Sequence, residues 1–181
     1  MNVSVALTTQ RQFAIDSFND SRSSAMRRAF VLRLAGRCPC LADFNEVLPS
    51  LSPDRIYAGV QVIPIDQVAG SLGRAADFDS SFRPLKAHLR DRWVSNYLHM
   101  QKGSREAIIV HKAGERYYVE DGHHRVSVAR ATGMAFIEAE VWEYRPRQSG
   151  PAPIPAAALR SPLDPWLKAH PASACTCPET V

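Results

Sequence analysis

The sequence predicts an α+β fold: a small mixed β-sheet with packed helices, an N-terminal helical arm and a proline-rich C-terminal tail. Three observations carry this prediction. Short β-branched or alternating runs at residues 60–68, 107–112, 116–121 and 135–144 are interleaved with stretches of helical periodicity. Residues 1–40 carry six arginines against Asp16 and Asp20, which accounts for the whole formal net charge of +4. Seven of the 13 prolines fall in residues 151–181. The chain divides accordingly into a basic helical arm (1–55), a core (56–146) and a Pro/Ala-rich flexible tail (147–181).

The elements follow in chain order. Residues 1–20 read as weakly ordered. From Ser23 to Ala35, Met26, Ala29, Phe30 and Leu34 recur at helical spacing, with Ser23 or Ser24 as cap and Gly36 as stop. This places Met26, Phe30 and Leu34 on the core and the arginines in water. "LADFNEVLPSL" is a second short helix, stopped by Pro49. "VQVIPIDQV", residues 60–68, is a strand, and the Gly/Ser/Asp-rich "AGSLGRAADFDSSFRP" a structured loop. A helix begins near Pro84, with Leu85, Leu89, Trp93 and Tyr97 on one face. "AIIVHK" and "RYYVED", joined by "AGE", form a hairpin. "HHRVSVARAT" is helical and ends at Gly133. "AFIEAEVWEY" is a strand with Ile137, Ala139 and Val141 on one side.

Hydrophobic residues make up 45% of the chain and charged residues 22%, the balance of a protein that can bury a core. No apolar run approaches the roughly 20 residues that span a bilayer. The start "MNVSVALTTQRQ" lacks the charged and apolar segments of a secretion signal. The expected location is therefore the cytoplasm, with no membrane partner. The four cysteines form two close pairs, Cys38/Cys40 and Cys175/Cys177, rather than a spread framework, and are read as free thiols.

The chemistry concentrates in "YYVEDGHHRVSVARATG", Tyr117–Gly133. Asp121 stands where strand gives way to helix and can cap free N–H groups. Gly122 allows a tight turn and the close approach of a ligand. The helix N-terminus favours anions, and His123, His124 and Arg125 add donors in its first turn. The arrangement suits a phosphate. Glu120 and Asp121 oppose that charge unless Mg²⁺ enters with a nucleotide. Two other readings stand beside it. The turn can be a plain cap with solvated histidines. It can also be a zinc site, for which adjacent His123 and His124 are poorly spaced.

"YYVEDGHHRVSVARATGMAFIEAEVWEY", preceded by "VIPIDQVAGSLGRAADFD" and "AIIVHK", resembles the ParB N-terminal/sulfiredoxin superfamily over residues 60–144. It is most similar to the branch with a D-G-H-H-R turn, which includes free serine kinases. In partition ParB proteins the turn reads roughly G-E-R-R and binds the phosphates of CTP. In sulfiredoxins it reads G-C-H-R, with a nucleophilic cysteine. Here that position is His123, so the resemblance excludes sulfiredoxin chemistry. It implies phosphate contacts from Gly122, His123, His124 and Arg125. Ser71, Gly73 and Arg74 resemble the opposite nucleotide-side loop, with Arg74 closing over the phosphates. Asp121 would cap the helix or position Mg²⁺, and Glu120 would assist with the metal or a proton.

Three functions follow. The first is a regulatory or DNA-associated protein that binds a nucleoside di- or triphosphate with Mg²⁺, its Arg-rich arm touching DNA non-specifically. The second is a small-molecule phosphotransferase of the serine-kinase type, with Glu120 or Asp121 as base. The third is an interaction module without ligand. The sequence leaves the base, the acceptor and the oligomeric state open.

Overall fold

The computed structural model describes residues 3–103 and 106–147, the side chains from residue 8 onward. It is α+β, with one mixed six-stranded sheet in the order β1-β3-β5-β4-β6-β2. The elements are α1 (Val3–Leu34), β1 (Ala42–Asp43), α2 (Phe44–Val47), β2 (Leu51–Pro64), β3 (Val68–Ser71), α3 (Arg90–Gln101), β4 (Ile108–Ala113), β5 (Arg116–Asp121), α4 (His123–Ala131) and β6 (Phe136–Pro146).

The centre of the sheet matches the sequence. The β4–β5 hairpin is antiparallel and β6 returns parallel to β4. Ile137, Ala139 and Val141 point into the core with Ile108, Val110 and Val119. Leu85, Leu89, Trp93 and Tyr97 are all buried, but α3 begins at Arg90 rather than near Pro84, so Leu85 lies before it and packs on Ala25 and Ala29. Trp93 Nε1 donates to Ser127 Oγ (2.9 Å), which fixes α3 against α4. The opposite face of the sheet is aromatic: Phe44 of α2 lies over His111, Tyr118 and Tyr144.

The N-terminal half differs from expectation. α1 runs unbroken for 32 residues from Val3, so Ser23 and Ser24 are interior rather than caps. Ala14, Phe18, Ala25 and Ala29 are its buried residues, and Phe18 meets Trp93 edge-on at 5.7 Å. Phe30 and Leu34 are instead 64% and 74% exposed, while Met26 is half-buried. Three alanines let the helix approach closely, and the larger apolar residues then fall on the far side. The arginines are not all in water either: Arg22 and Arg28 are half-buried.

β2 begins at Leu51, well before the expected strand, and pairs antiparallel with β6. It is an edge strand, so Pro53 costs no sheet hydrogen bond that a neighbour needs. Two register irregularities, Leu51/Arg55 and Tyr57/Val60, break its pairing with β6. "LADFNEVLPSL" opens with the short strand β1 before α2, and Asp43 caps α2 by accepting from Asn45 N.

The free-thiol expectation fails for Cys38 and Cys40, both of which are disulfide-bonded and buried. They lie in a loop folded against the core, where Cys40 bridges Asp79, rather than on an open segment. Cys175, Cys177 and the expected proline-rich tail from residue 148 lie outside the described residues. Among the described residues no helix is long and apolar enough to cross a membrane.

Candidate functional site

β5 ends at Asp121 and α4 starts at His123, so the turn lies where the sequence places it. Gly122 is the N-cap of α4 with φ 97° and ψ 19°, left-handed backbone that favours glycine. A Cβ there would strike the Ile108 side chain. The glycine thus serves strand–helix packing, and the space beside it is filled by the core rather than open to a ligand. Asp121 does not cap the helix; no side chain does. Its carboxylate instead accepts from Arg125 Nη2 at 2.6 Å, one helical turn on.

Arg125 is almost fully engaged within the protein. Besides Asp121, its Nη1 donates to the Glu106 and Ala107 carbonyls at 3.0 and 2.8 Å. The guanidinium ties the start of α4 to the chain entering β4, and Asp121 balances its charge. The sequence points to Arg125 as a phosphate grip because a tie to carbonyls 18 and 19 residues away leaves no local signal.

His123 and Ser71 are brought together, but they face each other. Ser71 Oγ lies 2.7 Å from His123 Nε2 and also accepts from Arg74 N at 3.0 Å. The ring also donates to the Val119 carbonyl, which leaves Nε2 as acceptor for the Ser71 hydroxyl. Both side chains are buried. Burial pushes the His123 pKa down to about 4, helped by Arg74 and opposed by Asp121, Asp77 and the Val119 contact. His123 is therefore a neutral tie between β3 and α4.

His124 differs in every respect that matters for binding. It is 4% exposed, yet both ring nitrogens lack a hydrogen-bond partner. Phe78 meets it edge-on at 5.6 Å and stacks on His123 at 6.2 Å. Burial holds the His124 pKa at about 4, with further lowering by Arg74, Arg92 and His123 against Asp77. A buried polar ring without a partner carries a desolvation cost of about 1–3 kcal/mol. Here it stands in the first turn of a nine-residue helix, in a positive field.

The facing loop supplies that field. Arg74 pairs with Asp77 through Nε and Nη2, both at 2.8 Å, and Lys86 Nζ holds the other carboxylate oxygen at 2.8 Å. Burial pushes the Asp77 pKa up, but hydrogen bonds from Lys86 and Arg74 outweigh it and hold the carboxyl below its ordinary range. Gly73 has φ 83° and open space around it. Asp79, fully buried, accepts from Ser81 N and Arg83 N at 2.9 and 2.8 Å and so shapes the turn after Phe78. Arg92 went unnoticed in the sequence. Its neighbour Trp93 anchors α3 to α4, and that tertiary contact alone brings Arg92 near the turn.

Glu120 and Asp121, adjacent in β5, hold different partners. Glu120 Oε2 is 2.8 Å from His111 Nε2. Burial lowers the His111 pKa against the pull of Glu120. With Asp121 committed to Arg125, the two carboxylates do not converge on one cation. Among the described residues no group of three or more His, Cys, Asp or Glu is arranged to hold a metal.

No family model and no curated protein matches the chain. Among solved structures the chain is similar to sulfiredoxin from Arabidopsis thaliana, with 18% identity over 45% of this chain and 82% of that one, and a TM-score of 0.34. That partial overlap assigns no activity to the turn.

Proposed function

We propose that the first turn of α4 receives a phosphate group of a nucleotide, and that the protein is a nucleotide-phosphate-binding module rather than a phosphotransferase. The observation that carries the reading is His124: buried, without a partner on either ring nitrogen, and flanked electrostatically by Arg74 and Arg92. An anion would give the ring an acceptor, use the free N–H groups of the helix start, and offset the two arginines. His123, Ser71, Gly122 and Arg125 build the frame around that contact. Catalysis stays outside the proposal because Glu120 and Asp121 are already committed to His111 and Arg125. Any Mg²⁺ would arrive with the nucleotide, since the carboxylates do not form a site for it.

Calorimetry with inorganic phosphate, pyrophosphate, ATP and CTP, each with and without Mg²⁺, tests this reading. Binding should be accompanied by proton uptake, seen as a dependence of the heat on buffer ionisation, because an anion raises the His124 pKa from about 4. His124→Phe and Arg92→Ala should each weaken binding about tenfold or more. Failure of every phosphate ligand to bind, or unchanged affinity in His124→Phe, overturns it.

A second polyanion contact has its own observation. Arg33 and Arg37 are exposed on and just after α1. Binding of DNA there should be sequence-tolerant, steeply salt-dependent and indifferent to His124→Phe.

A further inference from the structure

The outward face of α1 carries more than loose charge. Opposite its buried stripe lie Phe13, Asp16, Asp20, Ser23, Arg27, Val31 and Leu34. Phe13, Val31 and Leu34 are 63%, 62% and 74% exposed, and Phe30 at 64% flanks them. Exposed apolar side chains towards both ends of a long helix, with charges of both signs between them, make an interaction surface in search of a cover. Its polar residues are sorted by sign. Both acids precede Ser23 on this face, and Arg27 follows it. Asp20 and Arg27 make no ion pair among the described residues.

We propose that this face is covered by the same face of a second copy of the chain, the two α1 helices running antiparallel. The charged pair and the serines set the register. Phe13 faces Leu34 of the second copy, Asp20 faces Arg27, and Ser23 faces Ser24 at the two-fold axis. Each pairing occurs twice by symmetry, as an isologous contact requires. The small serines let the backbones approach where the helices cross. Asp16 lies one turn from the facing Arg27 and adds to the attraction. A parallel pairing would instead oppose Arg27 to Arg27 and Asp20 to Asp20, so the charges select the antiparallel arrangement. α1 packs on α3 mainly with its other face; Phe13 lies at the border, its ring 6.2 Å from that of Tyr97 and still 63% exposed, and the rest of this face is accessible.

Sedimentation velocity of the full chain over a wide concentration range tests the pairing, with circular dichroism as a check on folding. The wild type should show a reversible monomer–dimer equilibrium that weakens with salt. Asp20→Arg and Arg27→Asp should each raise the dissociation constant about tenfold or more, and the double exchange should recover it. Leu34→Glu should abolish the dimer. A chain that stays monomeric at every concentration overturns the proposal. So does a dimer indifferent to both single charge reversals, which would place the contact elsewhere. A third overturning outcome is a monomer that binds phosphatidylserine vesicles and loses them in Leu34→Glu. That result would identify the face as a basic amphipathic membrane-surface helix.

Discussion

The β5–α4 turn contains two neighbourhoods one residue apart. In the first, Gly122, His123 and Arg125 are each consumed by the fold: packed on Ile108, tied to Ser71, or clamped to two carbonyls and Asp121. In the second, His124 is as deeply buried as His123 but has nothing to bond to. A motif read from sequence assigns one role to all four residues. The structure shows that most of them hold the loop in shape and that one is left polar, dry and unsatisfied. The contrast locates the candidate contact better than the abundance of donors does.

The largest effect should come from the tied half. Gly122→Val forces a β-branched residue into left-handed backbone and drives its side chain into Ile108. The combined strain and overpacking should cost ~2–6 kcal/mol, read as a lower midpoint in urea. Ligand binding should be lost through unfolding rather than through a blocked pocket.

Acid should act next. His123 and His124 have folded pKa values of about 4, below the ordinary 6.5, so the unfolded chain binds more protons between those values. Stability should therefore fall as pH drops from 6.5 to 4, by on the order of 3 kcal/mol for each histidine, and level off below. His111, also lowered, adds to the loss, whereas Asp79, whose carboxyl burial raises, works in the opposite sense. Urea midpoints at stepped pH read this directly. His124→Phe should flatten the slope, and a slope unchanged in that variant would break the contrast.

Arg125→Met should cost about 2–3 kcal/mol by orphaning the Glu106 and Ala107 carbonyls and freeing Asp121. Phosphate affinity at saturating stability should stay unchanged, in opposition to Arg92→Ala. The smallest change in stability should be that of His124→Phe, within about 1 kcal/mol, because an apolar ring replaces one that bonds to nothing. Thermal melts of the two variants side by side make the comparison.

Much of the sheet's centre was legible because its physics is local. Ile137, Ala139 and Val141 alternate, Leu89, Trp93 and Tyr97 recur every fourth residue, and glycines punctuate the hairpin, the turn and the end of α4. α1 was legible only in part. Its first two-thirds lack a strong apolar stripe, and small Ala14 and Ala25 face the core where the larger Phe30 does not. Choosing between two faces needs the partner surface, which sequence does not display. The site shows the same limit. Gly122 and the histidines announce a strand-to-helix turn, but which donor is spent on which acceptor depends on Ser71, Glu106 and Trp93, all distant along the chain.

The irregular outer strand has a consequence for the protein's behaviour in concentrated solution. β2 is long, lies at the sheet's margin and shows Tyr57, Val60 and Val62 to solvent, a composition that invites another chain to add itself as a seventh strand. Pro53 removes a donor from that margin, and the two breaks in register disturb the even row of donors and acceptors a newcomer would need. What looks like imperfect pairing with β6 thus works as protection against fibrillar growth, keeping a sticky border from becoming a template.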